Sequence, residues 1–208
     1  MFESRQQAGK LLARKLVKYK NQNSLILGIT RGGVVVAQEL ASFLNIPLLP
    51  IVVKKISAPE NPELAIGAVT YEKTLYLDYQ LAKKTGATKE FLSEQIKVKQ
   101  KEVEDLTAKF TQKQMFLKGK EIIVVDDGIA TGATTEAVVK YLKKKKAAKI
   151  IIAVPVIAKD AYLRLKKIVD DIITCEIPAF FGAVGEFYQE FPQVSNEEVI
   201  EIIKTLKH

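Results

Sequence analysis

Residues 122–135 read Ile-Ile-Val-Val-Asp-Asp-Gly-Ile-Ala-Thr-Gly-Ala-Thr-Thr, and the adjacent carboxylates of Asp126 and Asp127 are the side chains of this protein best placed to do chemistry. Four β-branched apolar residues, Ile122 to Val125, make a buried strand, so both acids stand where that strand leaves its sheet. Gly128, Ala130, Thr131, Gly132, Ala133, Thr134 and Thr135 follow, entering a helix that begins near Ala133. Backbone N–H groups and threonine hydroxyls converge there, and the result is an anion cradle. Phosphate in the cradle and a hydroxylated carbon skeleton under the acids describe a sugar phosphate held at both ends. Ribose 5-phosphate fits that description. Two aspartates after a strand also suit a plain solvated turn; the Thr-Gly loop is what favours a site. A Walker-type nucleotide loop fits less well, because no lysine follows the glycine within the loop.

The remaining inventory narrows the chemistry. The single histidine is His208, the last residue, which removes the central member of Ser-His-Asp and Cys-His catalysis and of His-ligated zinc. Cys175 is the single cysteine and lies in an apolar run, so no disulfide forms within the chain and a buried, inert thiol is expected. Net charge is +8, yet only Arg5, Arg14, Arg31 and Arg164 of the 32 basic residues are arginine. Base reading leans on arginine, so a lysine-dominated charge argues against a nucleic-acid partner. Lys143 to Lys146 read as a solvated helix end. The longest apolar run, Ile150 to Ala158, is far short of the roughly 20 residues that cross a bilayer. No signal-peptide core opens the chain, and a cytoplasmic protein without membrane partners is expected.

The elements that must position these residues alternate strand and helix. Phe2 to Tyr19 carries Ala8, Leu11, Leu12, Leu16 and Tyr19 on one helical face. Strands are expected over 24–29, 46–53, 122–125, 149–156 and 171–176, with a short hairpin over 65–77. Helices are expected from the Gly32-Gly33 loop to about Leu44, over 88–114 with Leu92, Ile96, Val103, Leu106 and Phe110 as its buried stripe, over 133–146, over 159–168, and over 196–207 capped by Ser195 or Asn196. This order predicts an α/β fold with a parallel twisted sheet, helices on both faces, and ligands beyond the carboxyl ends of the strands. With 208 residues, 48% of them hydrophobic, and no linker or repeat, one domain over 1–208 is expected.

The segment Val124 to Thr135, VVDDGIATGATT, closely resembles the signature of type I phosphoribosyltransferases. That resemblance implies that Asp126 and Asp127 hold the 2- and 3-hydroxyls of phosphoribosyl pyrophosphate (PRPP) while the following loop wraps its 5-phosphate. It also implies a small hood from the terminal segments, about 1–20 and 178–208. Thr30-Arg31-Gly32-Gly33 is similar to the pyrophosphate loop of xanthine-guanine enzymes, with Arg31 gripping two oxygens. Lys54 and Lys55 would end the second strand, one of them reaching the leaving pyrophosphate, and a lid would begin at Ser57-Ala58-Pro59-Glu60-Asn61-Pro62-Glu63. Strand alternation alone does not phase the two lysines.

Phe181 and Val184 match the stretch that stacks on the acceptor base in hypoxanthine-guanine enzymes. The lysine those enzymes use to read a 6-oxo group has no clear counterpart among Lys159, Lys166 and Lys167, and Glu186 or Glu190 would stand for the acid of that stretch. The overall run looks most like bacterial phosphoribosyltransferases whose acceptor is unassigned. The resemblance implies a Mg²⁺-dependent pentosyltransferase of nucleotide salvage acting on PRPP and a small-molecule nitrogen acceptor, with Mg²⁺ held mainly through PRPP and Asp126 or Asp127 as candidate ligands. A homodimer is expected. The alternative on the same fold is a PRPP-sensing nucleic-acid-binding regulator.

Overall fold

Side-chain alternation along three central strands shows why this chain builds three layers. Ile26, Ile123, Val125, Ile151 and Ala153 pack into one hydrophobic cluster, whereas Leu25, Leu27, Ile29, Ile122, Val124, Ile150, Ile152 and Val154 pack on the opposite side. Strands buried on both faces need helices on both faces. The computed structural model describes residues 1–20, 23–110 and 116–206.

Helix α1 spans Arg5–Lys15, starting later than the spacing predicts because Ser4 caps it, accepting from the Gln7 N–H at 3.2 Å. Phe2 is drawn away to pair with Tyr188, and Leu11 is 37% exposed rather than part of the buried face. A short 3-10 turn over Val17–Tyr19 follows. Strand β1 (Ser24–Ile29) leads into α2 (Gly32–Leu44), then β2 (Leu48–Ile51). The second strand therefore stops short of Lys54, correcting the expected 46–53. Its position at the sheet edge lets it accommodate Pro50.

Lys54 and Lys55 instead open a second, antiparallel sheet of β3 (Lys54–Ala58), β4 (Asn61–Thr70) and β5 (Thr74–Leu77), where only a hairpin and a lid segment are expected. Pro59 sits in the β3–β4 turn. Asn61 Oδ1 accepts from Glu63 and Leu64 N–H at 3.1 and 3.2 Å, and a register shift around Ser57 absorbs the irregularity. A short helix α3 (Tyr79–Lys84), capped by Asp78 and not expected from the sequence, precedes the long charged helix α4 (Lys89–Phe110). Val103 and Phe110 are buried, with Leu92, Ile96 and Leu106 packed beside them; residues 111–114 of the expected helix lie outside the described ones.

Strand β6 (Glu121–Val125), α5 (Ala133–Lys144), β7 (Lys149–Val156), α6 (Lys159–Leu165), β8 (Asp171–Glu176) and α7 (Asn196–Thr205) complete the order. The main sheet is wholly parallel, ordered β2-β1-β6-β7-β8. Core residues of α1, α2 and α7 line one face and those of α5 and α6 the other. Ser195 and Glu198 form a reciprocal capping box at α7. Lys144 and Lys145 pair with Glu72 in the β4–β5 turn, so the basic run is partly anchored, not merely solvated. The two ends of the chain meet: Phe2 N–H donates to Phe187 O at 2.7 Å and Gln189 N–H to Phe2 O at 2.8 Å. No helix among the described residues is long and apolar enough to cross a membrane.

Candidate active site

Strand β6 is flanked by β1 and β7, and its end delivers Asp126 and Asp127 to the carboxyl edge of the sheet. The chain beyond is fixed by Ile129, whose N–H donates to Val156 O at 3.0 Å and whose carbonyl accepts from Ala158 N–H at 2.8 Å. The loop after the neighbouring strand closes directly onto the acids. A Cβ on Gly33 would lie 2.7 Å from Val125 O and 2.8 Å from Asp126 Cα, and one on Gly32 would collide with Asp127 Oδ2. Only glycine permits that approach. The Thr30–Arg31 peptide is cis, and Arg31 is exposed at the loop's tip.

The two carboxylates have different surroundings. Burial, then the charge of Asp127, pushes the Asp126 carboxyl well above the ordinary range, although Asp126 Oδ1 accepts the Asp127 N–H at 2.9 Å. Asp127 is ion-paired at 2.6 Å with Arg5, at 15% and 8% side-chain exposure respectively. The Tyr188 hydroxyl donates to Asp127 O at 2.5 Å, and burial followed by the Asp127 charge raises its pKa.

Helix α5 starts from Gly132, held at φ +78°, a left-handed conformation suited to glycine. Thr131 Oγ1 accepts from Ala133 N–H at 3.5 Å and is half-exposed, as is Thr134. Thr135 is fully enclosed and its hydroxyl has no hydrogen-bond partner. Arg164 of α6 braces the loop from outside, donating to Thr131 O and, at 2.5 Å, to Glu136 Oε1.

A cleft of about 640 Å³ opens over the Thr30–Gly32 loop. Arg5, Arg31 and Lys54 supply its cations, while Leu106 and Phe110 of α4 and the strap from Phe191 to Val194 supply its apolar wall. Strand phasing separates the two lysines. Lys54 lines the cleft and pairs with Glu102 at 3.3 Å; Lys55 turns out to Glu63 at 3.4 Å. On the other side of the acids, a Cβ on Gly128 would meet Val184 Cγ1 at 2.5 Å, and Phe181 packs on Phe187 with ring centroids 5.0 Å apart. Lys159, Lys166, Lys167, Glu186 and Glu190 are all exposed. Cys175 is half-buried, and burial raises its thiol pKa, as an inert thiol requires.

Acid pair, helix-start loop and glycine loop thus occupy adjacent strand ends, and residues 3–190 match the family model of the phosphoribosyl transferase domain. The chain belongs to that family. A Mycobacterium tuberculosis protein carrying the name putative phosphoribosyl transferase, found in two strains, is 33% identical over 205 residues. The match covers 98% of this chain and 46% of that protein, so the chain spans about half the length of the curated relatives it matches. A crystal structure from Thermus thermophilus is 33% identical with a TM-score of 0.80, covering 99% of this chain and 98% of that one. An Aquifex aeolicus structure, 15% identical with a TM-score of 0.54 over 83% of this chain and 73% of that one, shares the fold. The parallel five-stranded sheet flanked by helices is the type I phosphoribosyltransferase fold.

Sequence reasoning passed over Arg5 and Arg164. Their partners lie 122 and 28 positions away, and nothing local marks either residue. Scarcity is the one signal available: both belong to a set of four arginines among 32 basic residues.

Proposed function

We propose that this domain transfers ribose 5-phosphate from PRPP to a nitrogen acceptor, with release of pyrophosphate and with Mg²⁺ as cofactor. The reading treats 1–208 as one phosphoribosyltransferase-like unit whose hood comes from about 1–20 and 178–208. The observation that carries it is the close packing of Gly32 and Gly33 on the acid pair, with the start of α5 just beyond. Three ligand-binding devices thereby share one edge, spaced for the two ends of a sugar phosphate and its leaving group.

In this reading Asp126 and Asp127 hold the ribose hydroxyls. Gly128 and the segment from Ala130 to Thr135 hold the 5-phosphate with backbone N–H groups and the Thr131 and Thr134 hydroxyls. Thr30, Arg31, Gly32 and Gly33 hold pyrophosphate, assisted by Lys54; its place in the lining of the same cleft and the outward turn of Lys55 support that choice between the two lysines. The bond from the ribose carbon to pyrophosphate oxygen breaks with its electron pair leaving on oxygen. A bond from that carbon to the acceptor nitrogen forms, and the nitrogen's proton passes to solvent. Arg31 and Lys54 stabilise charge that grows on the leaving group, a contribution that is usually the largest single one.

No group of three His, Cys, Asp or Glu side chains among the described residues could hold a metal by itself, and Asp127 already carries a cationic partner. Such a donor set fits a hard cation held mainly by substrate phosphates, with one carboxylate of the pair as an added ligand. When bound, Mg²⁺ would neutralise part of the diphosphate charge. Val184 over Gly128 and Phe181 beside it support an acceptor of flat, purine-like shape. Exposed Phe180 and Ile177 next to the edge strand β8 support a homodimer.

The test is pyrophosphate release from PRPP and Mg²⁺ against a panel of nitrogen acceptors. Release that depends on one acceptor class is expected. Tight PRPP binding without acceptor-dependent release would favour the PRPP-sensing regulator instead.

A further inference from the structure

Arg5 is a buried cation at the wrong end of a helix for helix stability. It opens α1, where the macrodipole disfavours positive charge, and Ser4 already caps that end. Its side chain is 8% exposed, so its charge has to be matched by contacts. Nε donates to Asp127 Oδ2 at 2.6 Å, Nη1 donates to Pro192 O at 2.7 Å, and Cζ lies over the Phe191 ring, 3.6 Å from its centroid. A Cβ on Gly32 would stand 2.8 Å from Arg5 Nε. One side chain therefore touches the acid pair, the glycine loop and the strap that walls the cleft. That strap begins at Phe191, beyond the 3–190 span of the family match.

We propose that Arg5 is a positioning residue that fixes the Asp127 carboxylate for the ribose hydroxyls and, through Pro192 and Phe191, latches the 191–194 strap as a wall of the cleft. Losing Arg5 therefore loosens the strap and weakens the phosphoribosyl substrate at once, through two separate contacts of one side chain. The ribose half of this inference rests on the PRPP reading above. The residue type follows from the geometry. A planar fork can serve a carboxylate and a carbonyl in two directions while stacking on a ring; a lysine ammonium is a point donor and can keep the carboxylate but not all three.

The experiment uses the full chain and the variants Arg5→Ala, Arg5→Lys and Phe191→Ala, with circular dichroism to verify folding. PRPP affinity is measured by calorimetry in Mg²⁺, and amide hydrogen exchange is followed over residues 191–194 with and without PRPP. Arg5→Ala should weaken PRPP binding by roughly tenfold to a hundredfold and speed exchange in the strap. Arg5→Lys should recover most of the affinity while leaving the strap's exchange fast. Phe191→Ala should speed strap exchange and weaken PRPP less than Arg5→Ala does. Combined with Asp127→Asn, Arg5→Ala should add little further loss, because both remove one interaction. A folded Arg5→Ala protein with native affinity and native strap exchange would overturn the proposal. So would fully additive losses in the double variant, or, should Arg5→Ala not fold, native strap exchange in both Arg5→Lys and Phe191→Ala. If the native protein binds no PRPP, the functional reading and the ribose half fail together. Faster strap exchange in Arg5→Ala would then uphold the latch alone, and unchanged exchange would remove it as well.

Discussion

Thr135 and Thr131 sit in the same loop and should respond to mutation in opposite ways. Thr135 is fully enclosed in the first turn of α5 with a hydroxyl that lacks a partner, while Thr131 is half-exposed beside the helix start. A buried, unpartnered hydroxyl loses its hydration on folding and recovers nothing, a penalty of about 1–3 kcal/mol. Thr135→Val removes that group and keeps the branched shape, so backbone preference changes little. Its methyl is slightly larger than the hydroxyl, which offsets part of the gain. The expected net is about 1 kcal/mol of added stability, read as a melting temperature roughly 2–4 °C higher for a chain of this size. PRPP affinity should be unchanged, since the Thr135 side chain faces the core. Thr131→Ala should do the reverse, leaving the unliganded melt near native and weakening PRPP. Differential scanning calorimetry and PRPP titration on both variants read this directly. A Thr135→Val protein that melts lower, or that loses PRPP binding while folded, would show that its hydroxyl has a partner in the working site and would refute the reasoning.

Asp126 should make stability depend on pH in the direction opposite to a salt-bridged acid. Folding raises its pKa, so its favourable contribution is complete below the unfolded value of about 4 and is lost as pH rises through the folded value. Asp126→Asn should therefore melt higher than the native protein at neutral and alkaline pH, with the difference vanishing in acid; an equal offset at every pH would contradict this. Lys54→Ala should slow pyrophosphate release by about tenfold or more, whereas Lys55→Ala should act like an ordinary surface change, and equal losses would put the phasing of β3 in error. Ser195→Ala should lower stability by about 1 kcal/mol in a thermal melt through loss of the capping box, and an unchanged melt would deny the cap its role.

Much of the frame was legible because burial on both faces writes a continuous apolar run. The strands over 24–29 and 149–156 have the expected bounds for that reason, and the half-buried edge strand over 171–176 keeps its expected bounds as well. Where polarity and proline interrupt, reading failed. Lys54 and Lys55 resemble a strand's solvated end, and Pro59 and Pro62 resemble a loop, yet the chain forms a second sheet there by pairing β3 with β4 over a bulged register. The candidate site divides along the same line. Its acids, glycines and threonines are contiguous in sequence, so their spacing is visible. Arg5, Phe191 and Pro192 reach the acids only through the meeting of the two chain ends, a contact between residues 122 or more apart that no local pattern encodes.

The central claim is that the acid pair and the loop after it bind PRPP, and a thermal melt with PRPP and Mg²⁺ on the native protein and on Asp127→Asn tests it most directly. Ligand at a hundred times its dissociation constant should stabilise the native protein by about 2.7 kcal/mol, and the substitution should shrink that shift. A native melt that does not move in millimolar PRPP and Mg²⁺ would contradict the account.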